Sequence, residues 1–240
     1  MDSPVPSVSF VMKIADIPIT VNCFHNTTKR YCSLFLSEEK PAFEVDLKWE
    51  DLEKERLEDH NGFYVDEEIT ALCRKVSDEF ALRDIVLFHS SAVCIDGDAY
   101  LIAAASGVGK STHAALLQKV FGERLVYIND DKPFAKVSES DCLVYGSPWN
   151  GKEGRGNNIS APLKGILFLS RSIEPTYHKV NAREAYARMF NQIYLPKDRI
   201  QREGVLKCID ILAKKASFHQ IEVDKSEKSA IMVKEEVLGL

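Results

Sequence analysis

The chain has 240 residues, of which 45% are hydrophobic and 28% are charged, a composition typical of globular proteins with a substantial core. It carries 31 Lys and Arg residues against 36 Asp and Glu residues, a formal net charge of -5, and it has no dense basic block. Binding to a phosphate backbone needs clustered cations, so we expect no nucleic-acid partner.

The sequence was also searched for segments typical of a membrane span or a secretory signal. The longest apolar run, residues 99–105, is far shorter than the roughly 20 residues that cross a bilayer. The first ten residues, MDSPVPSVSF, have neither the basic segment nor the apolar segment of a secretory signal. The six cysteines form no C-x-x-C pair, which is typical of reduced thiols. We therefore predict a cytoplasmic protein with no membrane partner.

The first third of the chain favours β structure. Apolar and polar residues partly alternate over residues 9–22 and 33–47, which predicts strands. Residues 49–59 are mostly charged and predict a solvated helix, after which Asn61-Gly62 predicts a turn.

A helix follows this β-rich part. Between residues 69 and 80 the apolar side chains recur at helical spacing, and Asp66 is the expected N-cap. We interpret residues 1–80 as a small N-terminal β-rich domain with a role in recruiting the substrate. Residues 81–240 are then a second, larger domain.

The second part of the chain alternates strands with helices. The expected strands are residues 85–88, 90–95, 99–104, 125–128, 134–137, 143–145, 165–169 and 218–223. The expected helices are residues 114–121, 182–193, 202–213 and a last one from residue 226. Asp96-Gly97 predicts the turn of a hairpin. The fold class that follows is α/β, in the sense of an α+β mixed sheet.

The strongest signal is the segment AASGVGKST at residues 104–112, between an expected strand and an expected helix. Glycines at positions 107 and 109 let backbone amides turn inward as an anion-binding nest, and the helix adds its positive N-terminal end. The pattern G-x-x-x-x-G-K-[ST] has Ala104 in place of its first glycine, which is a departure from it.

Polyphosphate is the natural ligand of such a loop, and residues 104–112 are therefore called the phosphate loop below. Lys110 is expected to neutralise the β and γ phosphates, and the Ser111 hydroxyl is expected to coordinate Mg²⁺. The predicted nucleotide-binding residues are Ser106, Gly107, Val108, Gly109, Lys110, Ser111 and Thr112.

An acidic pair follows twenty positions after Lys110. Asp130 and Asp131 stand at the C-terminal end of an expected strand, the edge of an α/β sheet where ligands collect. One carboxylate suits Mg²⁺ and the other suits proton transfer from a hydroxyl. The alternative is an Asx-type turn before Lys132-Pro133.

Three motifs now stand in order: S-G-V-G-K-S at 106–111, I-N-D-D at 128–131 and E-G-R-G-N-N-I at 153–159. Together they resemble the C-terminal catalytic domain of HPr kinase/phosphorylase, whose motifs read G-D-S-G-I-G-K-S, A-D-D and E-x-R-G-x-x-I. The resemblance covers about residues 85–223 and extends to ATP-dependent phosphoenolpyruvate carboxykinase. His89 resembles the histidine of the family's M-H-G segment.

The resemblance implies that residues 81–240 are an HPr kinase/PEP carboxykinase-like P-loop kinase catalytic domain that uses ATP and Mg²⁺. It implies that Ser111, Asp131 and Glu153 surround the metal and that Asp130 or Asp131 is the general base. Arg155 is expected to steady phosphate oxygens or the acceptor loop. With Lys110, these residues form the expected catalytic set.

Two departures from the family change the expected acceptor. Residues 1–80 show no trace of the longer N-terminal domain of HPr kinase, and residues 145–153 are more elaborate than the family's approach to its glutamate. We therefore expect a kinase that acts on a serine-type hydroxyl of a peptide, protein or small molecule. The alternatives are a nucleotide-sensing module without catalysis and a PEP carboxykinase-like enzyme. Homo-oligomer formation stays open.

Three ring side chains near these motifs have two interpretations each. His113, on the first turn after the phosphate loop, faces either nucleotide or solvent, and solvent is the expectation. Tyr145 and Trp149 line a pocket or pack against neighbours, and packing is the expectation.

Overall fold

The structure is a computed structural model that describes residues 4–58, 64–224 and 226–239, and its architecture is mixed α+β. The strands are β1 Val8–Ile14, β2 Ile17–Cys23, β3 Phe43–Asp46, β4 Ile85–Leu87, β5 Ser90–Ile95, β6 Asp98–Ala103, β7 Leu125–Asn129, β8 Phe134–Val137, β9 Cys142–Tyr145, β10 Ser160–Arg171, β11 Thr176–Lys179 and β12 Ser217–Val223. The helices are α1 Asn26–Tyr31, α2 Trp49–Glu58, α3 Tyr64–Ala81, α4 Lys110–Phe121, α5 Ala182–Phe190, α6 Arg199–Lys215 and α7 Lys228–Met232, the last continued by a π-helical turn at Val233–Val237. The predicted turn at Asn61-Gly62 lies outside the described residues.

A small sheet is built from the first three strands in the order β1-β2-β3. β1 and β2 form an antiparallel hairpin, whose turn places Ala15 and Asp16 at positive φ, and β3 pairs parallel to β2. The prediction of a strand over residues 33–47 is therefore right only for β3. Residues Ser33–Phe35 form a 3₁₀ turn that buries Phe35 and leaves Leu34 and Leu36 exposed, which imitates strand alternation.

The large sheet has the order β4-β8-β9-β10-β6-β5-β7, and β12 joins it beside β10 and carries β11. β10 pairs with β9 at its start and then runs parallel to both β6 and β12. Gly165 stands where the register of β10 against β6 shifts. A Cβ at this position would lie 2.7 Å from the Ser217 hydroxyl on β12, so close packing favours glycine. Since β6, β10 and β12 are parallel, their C-terminal ends meet at one edge of the sheet.

Several element boundaries differ from the predictions. α3 begins at Tyr64, so Asp66 lies in its first turn and is not its cap. α6 begins at residue 199, because the Asp198 carboxylate accepts hydrogen bonds from the two backbone amides of Ile200 and Gln201. The edge strand β11 has no buried residue, so its sequence carried no alternation signal.

The N-terminal segment and the large sheet share a hydrophobic core. Phe10 and Phe80 belong to the same buried cluster as Phe134 and Trp149. The Trp149 indole donates to the Ile69 carbonyl at 2.9 Å, which confirms that this ring packs. All six cysteines are free thiols, and no helix of the described segments is both long and apolar enough to span a bilayer.

We expect Phe134→Ala to lower the free energy of unfolding by about 3–5 kcal/mol, because the ring is fully buried and packs edge-on against Phe80 and Trp149. Urea denaturation followed by circular dichroism and tryptophan fluorescence should show one shared transition. Phe190→Ala is the control, since that ring is 42% exposed and its loss should change stability little. Two separate transitions in the variant would contradict a shared core.

A second prediction concerns pH. Burial and the charge of Lys179 lower the pKa of His219 to about 4, and burial lowers the pKa of His113 to about 4. The unfolded chain takes up these protons near pH 6.5 and the folded chain does not, so stability should fall as pH is lowered from about 6.5 to about 4. His219→Gln should flatten part of that slope in urea denaturation, and an unchanged slope would refute the assignment.

Candidate functional site

The phosphate loop joins β6 to α4 as its sequence predicts. Gly107 and Gly109 adopt φ of +78° and +118°, in the left-handed region that favours glycine. The first helical hydrogen bond runs from the His113 amide to the Gly109 carbonyl at 2.8 Å. Ser106, Ser111 and Thr112 are exposed, so the open side of the loop is accessible to a ligand. This geometry suits an anion at the N-terminal end of a helix.

Lys110, His89 and Asp131 come together beside this loop. His89 Nε2 lies 3.3 Å from Lys110 Nζ and 3.4 Å from Asp131 Oδ1, so the imidazole sits between the cation and the carboxylate. Burial lowers the pKa of Lys110, and the charge of Asp131 acts in the opposite direction. Lys110 Nζ also lies 3.4 Å from the Ala104 carbonyl. The Lys110 ammonium group therefore lies close to the side chains of both His89 and Asp131.

Asp131 is held as a carboxylate. Burial works against its ionisation, but hydrogen bonding from His89 and the charge of Lys132 outweigh that effect, so its pKa lies below the usual value. Lys132 Nζ lies 3.5 Å from Asp131 Oδ2. An ionised, half-exposed carboxylate beside a phosphate loop is able to accept a proton or to bind a cation.

The Asn129 side chain fixes the backbone conformation that follows β7. Its side-chain oxygen accepts the backbone amides of Asp131 and Lys132 at 2.8 and 2.7 Å, and its side-chain nitrogen donates to the carbonyl and hydroxyl of Ser147. The Asx-type turn considered for the acidic pair thus exists, but Asn129 makes it. The turn presents Asp131 to His89.

Asp130 faces the opposite way and is 3% exposed. Its Oδ1 accepts the Gly151 amide at 2.6 Å, and its Oδ2 accepts the Arg155 amide at 3.3 Å. The carboxylate therefore anchors the glycine-rich segment that follows β9. A buried carboxylate satisfied by backbone amides is a common structural use of aspartate.

The segment around residues 150–158 is fixed against β7. The Arg155 guanidinium donates to the Tyr127 hydroxyl at 3.2 Å, and Glu153 lies 3.5 Å from the same guanidinium with 57% of its side chain exposed. Gly156 packs so closely on Asn150 that a Cβ would lie 2.1 Å from its side-chain oxygen. Arg155 and Glu153 are thus neighbours of each other, and no contact of either with Asp131 is seen among the described residues.

Two site residues were not found from the sequence. Arg171, at the end of β10, donates to the carbonyls of Gly107 and Val108 and so braces the phosphate loop. Gln192 accepts the His89 amide through its backbone at 2.7 Å, and its side-chain amide, oriented to donate, reaches the carbonyls of His89 and Ala104 at 3.0 and 3.2 Å. The signal for Arg171 was a cation just after the strand expected over residues 165–169.

His113 is buried, so the expectation that it faces solvent is wrong. The cause is α7, which packs on α4 and brings the Ser229 hydroxyl 3.4 Å from His113 Nδ1. The second ring nitrogen, Nε2, has no hydrogen-bond partner within the described segments. The ring lines a cleft of about 280 Å³ beside Gly107 and Gly109.

A magnesium site was expected at Ser111, Asp131 and Glu153. In the part of the chain that the structure describes, no three His, Cys, Asp or Glu side chains are grouped as metal ligands. Mg²⁺ does not require such a group, because it usually takes one or two protein oxygens with water and substrate phosphate. The exposed Ser111 hydroxyl and the ionised Asp131 fit that pattern by donor type.

Comparisons with known proteins identify no family for this chain. No protein-family model matches the chain, and no curated protein does. The chain is similar to the solved structure of the Hpr(Ser) kinase/phosphatase from Coxiella burnetii, with a TM-score of 0.37 and 12% identity over 64% of this chain and 88% of that one. A likeness of this strength decides neither fold nor activity.

The two aspartates should respond differently to substitution. Asp130→Asn replaces one accepting oxygen by an amide nitrogen that faces a backbone N–H, so we expect a loss of about 1–3 kcal/mol of stability. Hydrogen exchange at the Gly151 and Arg155 amides should accelerate. Asp131→Asn is the matched control and should cost less than about 1 kcal/mol, because its ionic contacts are half-exposed. The reverse ranking would contradict the anchor role of Asp130.

Proposed function

We propose that this chain is an ATP-dependent kinase that transfers the γ-phosphate to a serine-type hydroxyl of a peptide, protein or small molecule. The observation that carries the proposal is the contact of Lys110 on the phosphate loop with His89, and of His89 with Asp131. A cation for phosphate oxygens and a carboxylate for a hydroxyl proton are the two groups that phosphoryl transfer to an alcohol needs most.

On the donor side, backbone amides of the phosphate loop and the N-terminus of α4 would hold the β and γ phosphates. Lys110 would leave its contact with His89 for phosphate oxygens, where its charge compensates the charge that develops during transfer. Arg171 stabilises the conformation of the loop by donating hydrogen bonds to two of its carbonyl groups. Phosphate binding is thus proposed to rest on a loop that is already formed.

On the acceptor side, we assign proton acceptance to Asp131. The bond between the γ-phosphorus and the bridging oxygen of ATP breaks, a bond from the acceptor oxygen to phosphorus forms, and the hydroxyl proton passes to the Asp131 carboxylate. Asp130 is less suited to this role, since both of its oxygens accept backbone amides. His89 would hold Asp131 in place and is proposed to contact the transferred group.

Mg²⁺ is part of the proposal as the ion that neutralises phosphate charge when it is bound. Ser111 is the proposed protein ligand on the loop, with Asp131 or Glu153 supplying a carboxylate. Arg155, which is tied to Tyr127, is proposed to steady the segment that faces the acceptor.

The N-terminal segment is proposed to lie beside the acceptor. The Asn158 side chain donates to the Leu34 carbonyl at 3.2 Å, which joins the turn after α1 to the segment anchored by Asp130. Leu34, Leu36 and Ile159 are exposed. This contact supports a role of residues 1–80 in recruiting the acceptor.

The test begins with binding. Lys110→Ala should weaken Mg-ATP at least about tenfold in calorimetry, because it removes the loop cation from the β and γ phosphates. Lys164→Ala is the control, since that side chain is 63% exposed on β10. Equal ATP affinity of wild type and Lys110→Ala would refute the phosphate site.

Transfer is tested with radiolabelled ATP against hydroxyl-bearing peptides and metabolites. Asp131→Asn should bind Mg-ATP and lose at least about a hundredfold in transfer, since a general base contributes about that much. Full transfer by this variant would refute its role. Lys110-dependent ATP binding without transfer to any acceptor would favour the nucleotide-sensing module instead.

A further inference from the structure

A cleft of about 370 Å³ lies at the edge of the large sheet where the parallel strands β6, β10 and β12 end. Residues at the end of α5 and just after it complete its lining. Open α/β sheets bind their ligands beyond the carboxyl ends of the strands, and small-molecule sites have volumes of about 300–1,000 Å³. The cleft therefore has the position and the size of a small-molecule site.

Two lining residues connect this cleft to the proposed transfer site. The Gln192 backbone carbonyl accepts the His89 amide at 2.7 Å, and the Gln192 side-chain amide, oriented to donate, reaches the carbonyls of His89 and Ala104. The Ala104 carbonyl lies 3.4 Å from Lys110 Nζ. Since Gln192 and Ala104 both line the cleft, a molecule bound in it lies next to residues in direct contact with His89 and Lys110.

Strand register determines which side chains the sheet presents to the cleft. Gln220 and Glu222 are two positions apart on β12, so both point to the same face of the sheet. Phe168 and Ser170 stand opposite them on β10, and His178 stands opposite Gln220 on β11. All five residues line the cleft, which therefore has a mostly polar floor.

Arg188 brings a positive charge from the last turn of α5 to this floor. Its guanidinium lies 5.4 Å from the centroid of the Phe168 ring and donates to the side-chain oxygen of Gln220 and to the carboxylate of Glu184. These contacts fix its direction. A guanidinium has more N–H donors than these two bonds use, so Arg188 retains donors for a ligand.

Glu222 brings a negative charge to the same cleft. Its Oε2 accepts the Thr176 hydroxyl at 2.8 Å, and within the described segments no ion pair joins it to Arg188. A simple anion in the cleft would be repelled by Glu222, and a simple cation would be repelled by Arg188. The complementary ligand is a small zwitterion that offers a carboxylate to Arg188 and an ammonium group to Glu222.

We propose that this cleft binds a free hydroxy amino acid, of which L-serine is the simplest, as the phosphoryl acceptor. Arg188 binds its α-carboxylate and Glu222 binds its α-ammonium group, which leaves the side-chain hydroxyl for Asp131. The inference rests on the proposed function and narrows its acceptor to a small molecule.

The transfer then has defined products. The bond between the γ-phosphorus and the bridging oxygen of ATP breaks, and a bond from the serine hydroxyl oxygen to phosphorus forms. The hydroxyl proton passes to the Asp131 carboxylate. The products are ADP and the O-phosphate of the amino acid.

The experiment measures binding of L-serine and of two analogues by calorimetry. Ethanolamine lacks the carboxylate of serine, and 3-hydroxypropanoate lacks its ammonium group. We expect each analogue to bind wild type at least about tenfold more weakly than L-serine, because each loses a charge-assisted hydrogen bond.

Variants of the two charged residues should lose opposite halves of this discrimination. In Arg188→Gln, L-serine and ethanolamine should bind within about twofold of each other, while 3-hydroxypropanoate stays weaker than L-serine. In Glu222→Gln, L-serine and 3-hydroxypropanoate should bind within about twofold of each other, while ethanolamine stays weaker. A purely structural role of either residue would not produce this crossed pattern.

Arg183→Gln and Glu174→Gln are the matched controls, because both side chains are exposed and neither lines the cleft. They should bind all three ligands as wild type does. Far-ultraviolet circular dichroism shows whether each variant is folded. Transfer to L-serine is followed with radiolabelled ATP.

The outcomes separate this inference from the proposed function. Lys110-dependent ATP binding with no binding of L-serine, or with transfer only to peptide hydroxyls, would overturn the inference and leave the kinase proposal intact. Equal affinity of wild type for the three ligands, or displacement of L-serine by adenosine, would overturn it as well. Crossed binding of L-serine without transfer to it would overturn its role as acceptor and leave the amino-acid site standing.

Discussion

Burying the Asp130 carboxylate requires hydrogen bonds to both of its oxygens, and the chain supplies them from the backbone amides of Gly151 and Arg155. This interaction ties the end of β7 to a segment more than twenty residues away. The Asn129 side-chain oxygen accepts hydrogen bonds from the backbone amides of Asp131 and Lys132, which fixes the backbone at Asp131. Asp131 faces His89, while its neighbour Asp130 is buried.

The anchored segment is closely packed at two of its glycines, Gly151 and Gly156. A side chain at position 151 would lie 3.4 Å from both carboxylate oxygens of Asp130, and one at position 156 would collide with Asn150. Within the E-G-R-G pattern, Gly156 is therefore required by close packing on Asn150, and Gly154 is favoured by its φ of +62°. Arg155 contributes its amide to the anchor and its guanidinium to Tyr127.

Local patterns in the sequence predicted the strands and helices around the phosphate loop, because a loop between strand and helix is encoded in consecutive residues. The hairpin at Asp96-Gly97 is confirmed for this reason, and so is the helix predicted over residues 114–121, although α4 begins earlier, at Lys110. The orientation of Asp130 was not predictable, since it depends on amides that are distant in sequence. The burial of His113 depends likewise on α7, more than a hundred residues away.

We propose that the phosphate loop, His89 and Asp131 form one phosphoryl-transfer site. A crystal structure with a slowly hydrolysed ATP analogue and Mg²⁺ tests it most directly. We expect the terminal phosphate at Lys110, next to His89 and Asp131, with Asp130 still bonded to the backbone amides of Gly151 and Arg155. A terminal phosphate remote from Asp131, or an Asp130 released from both amides and turned toward the phosphate, would contradict it.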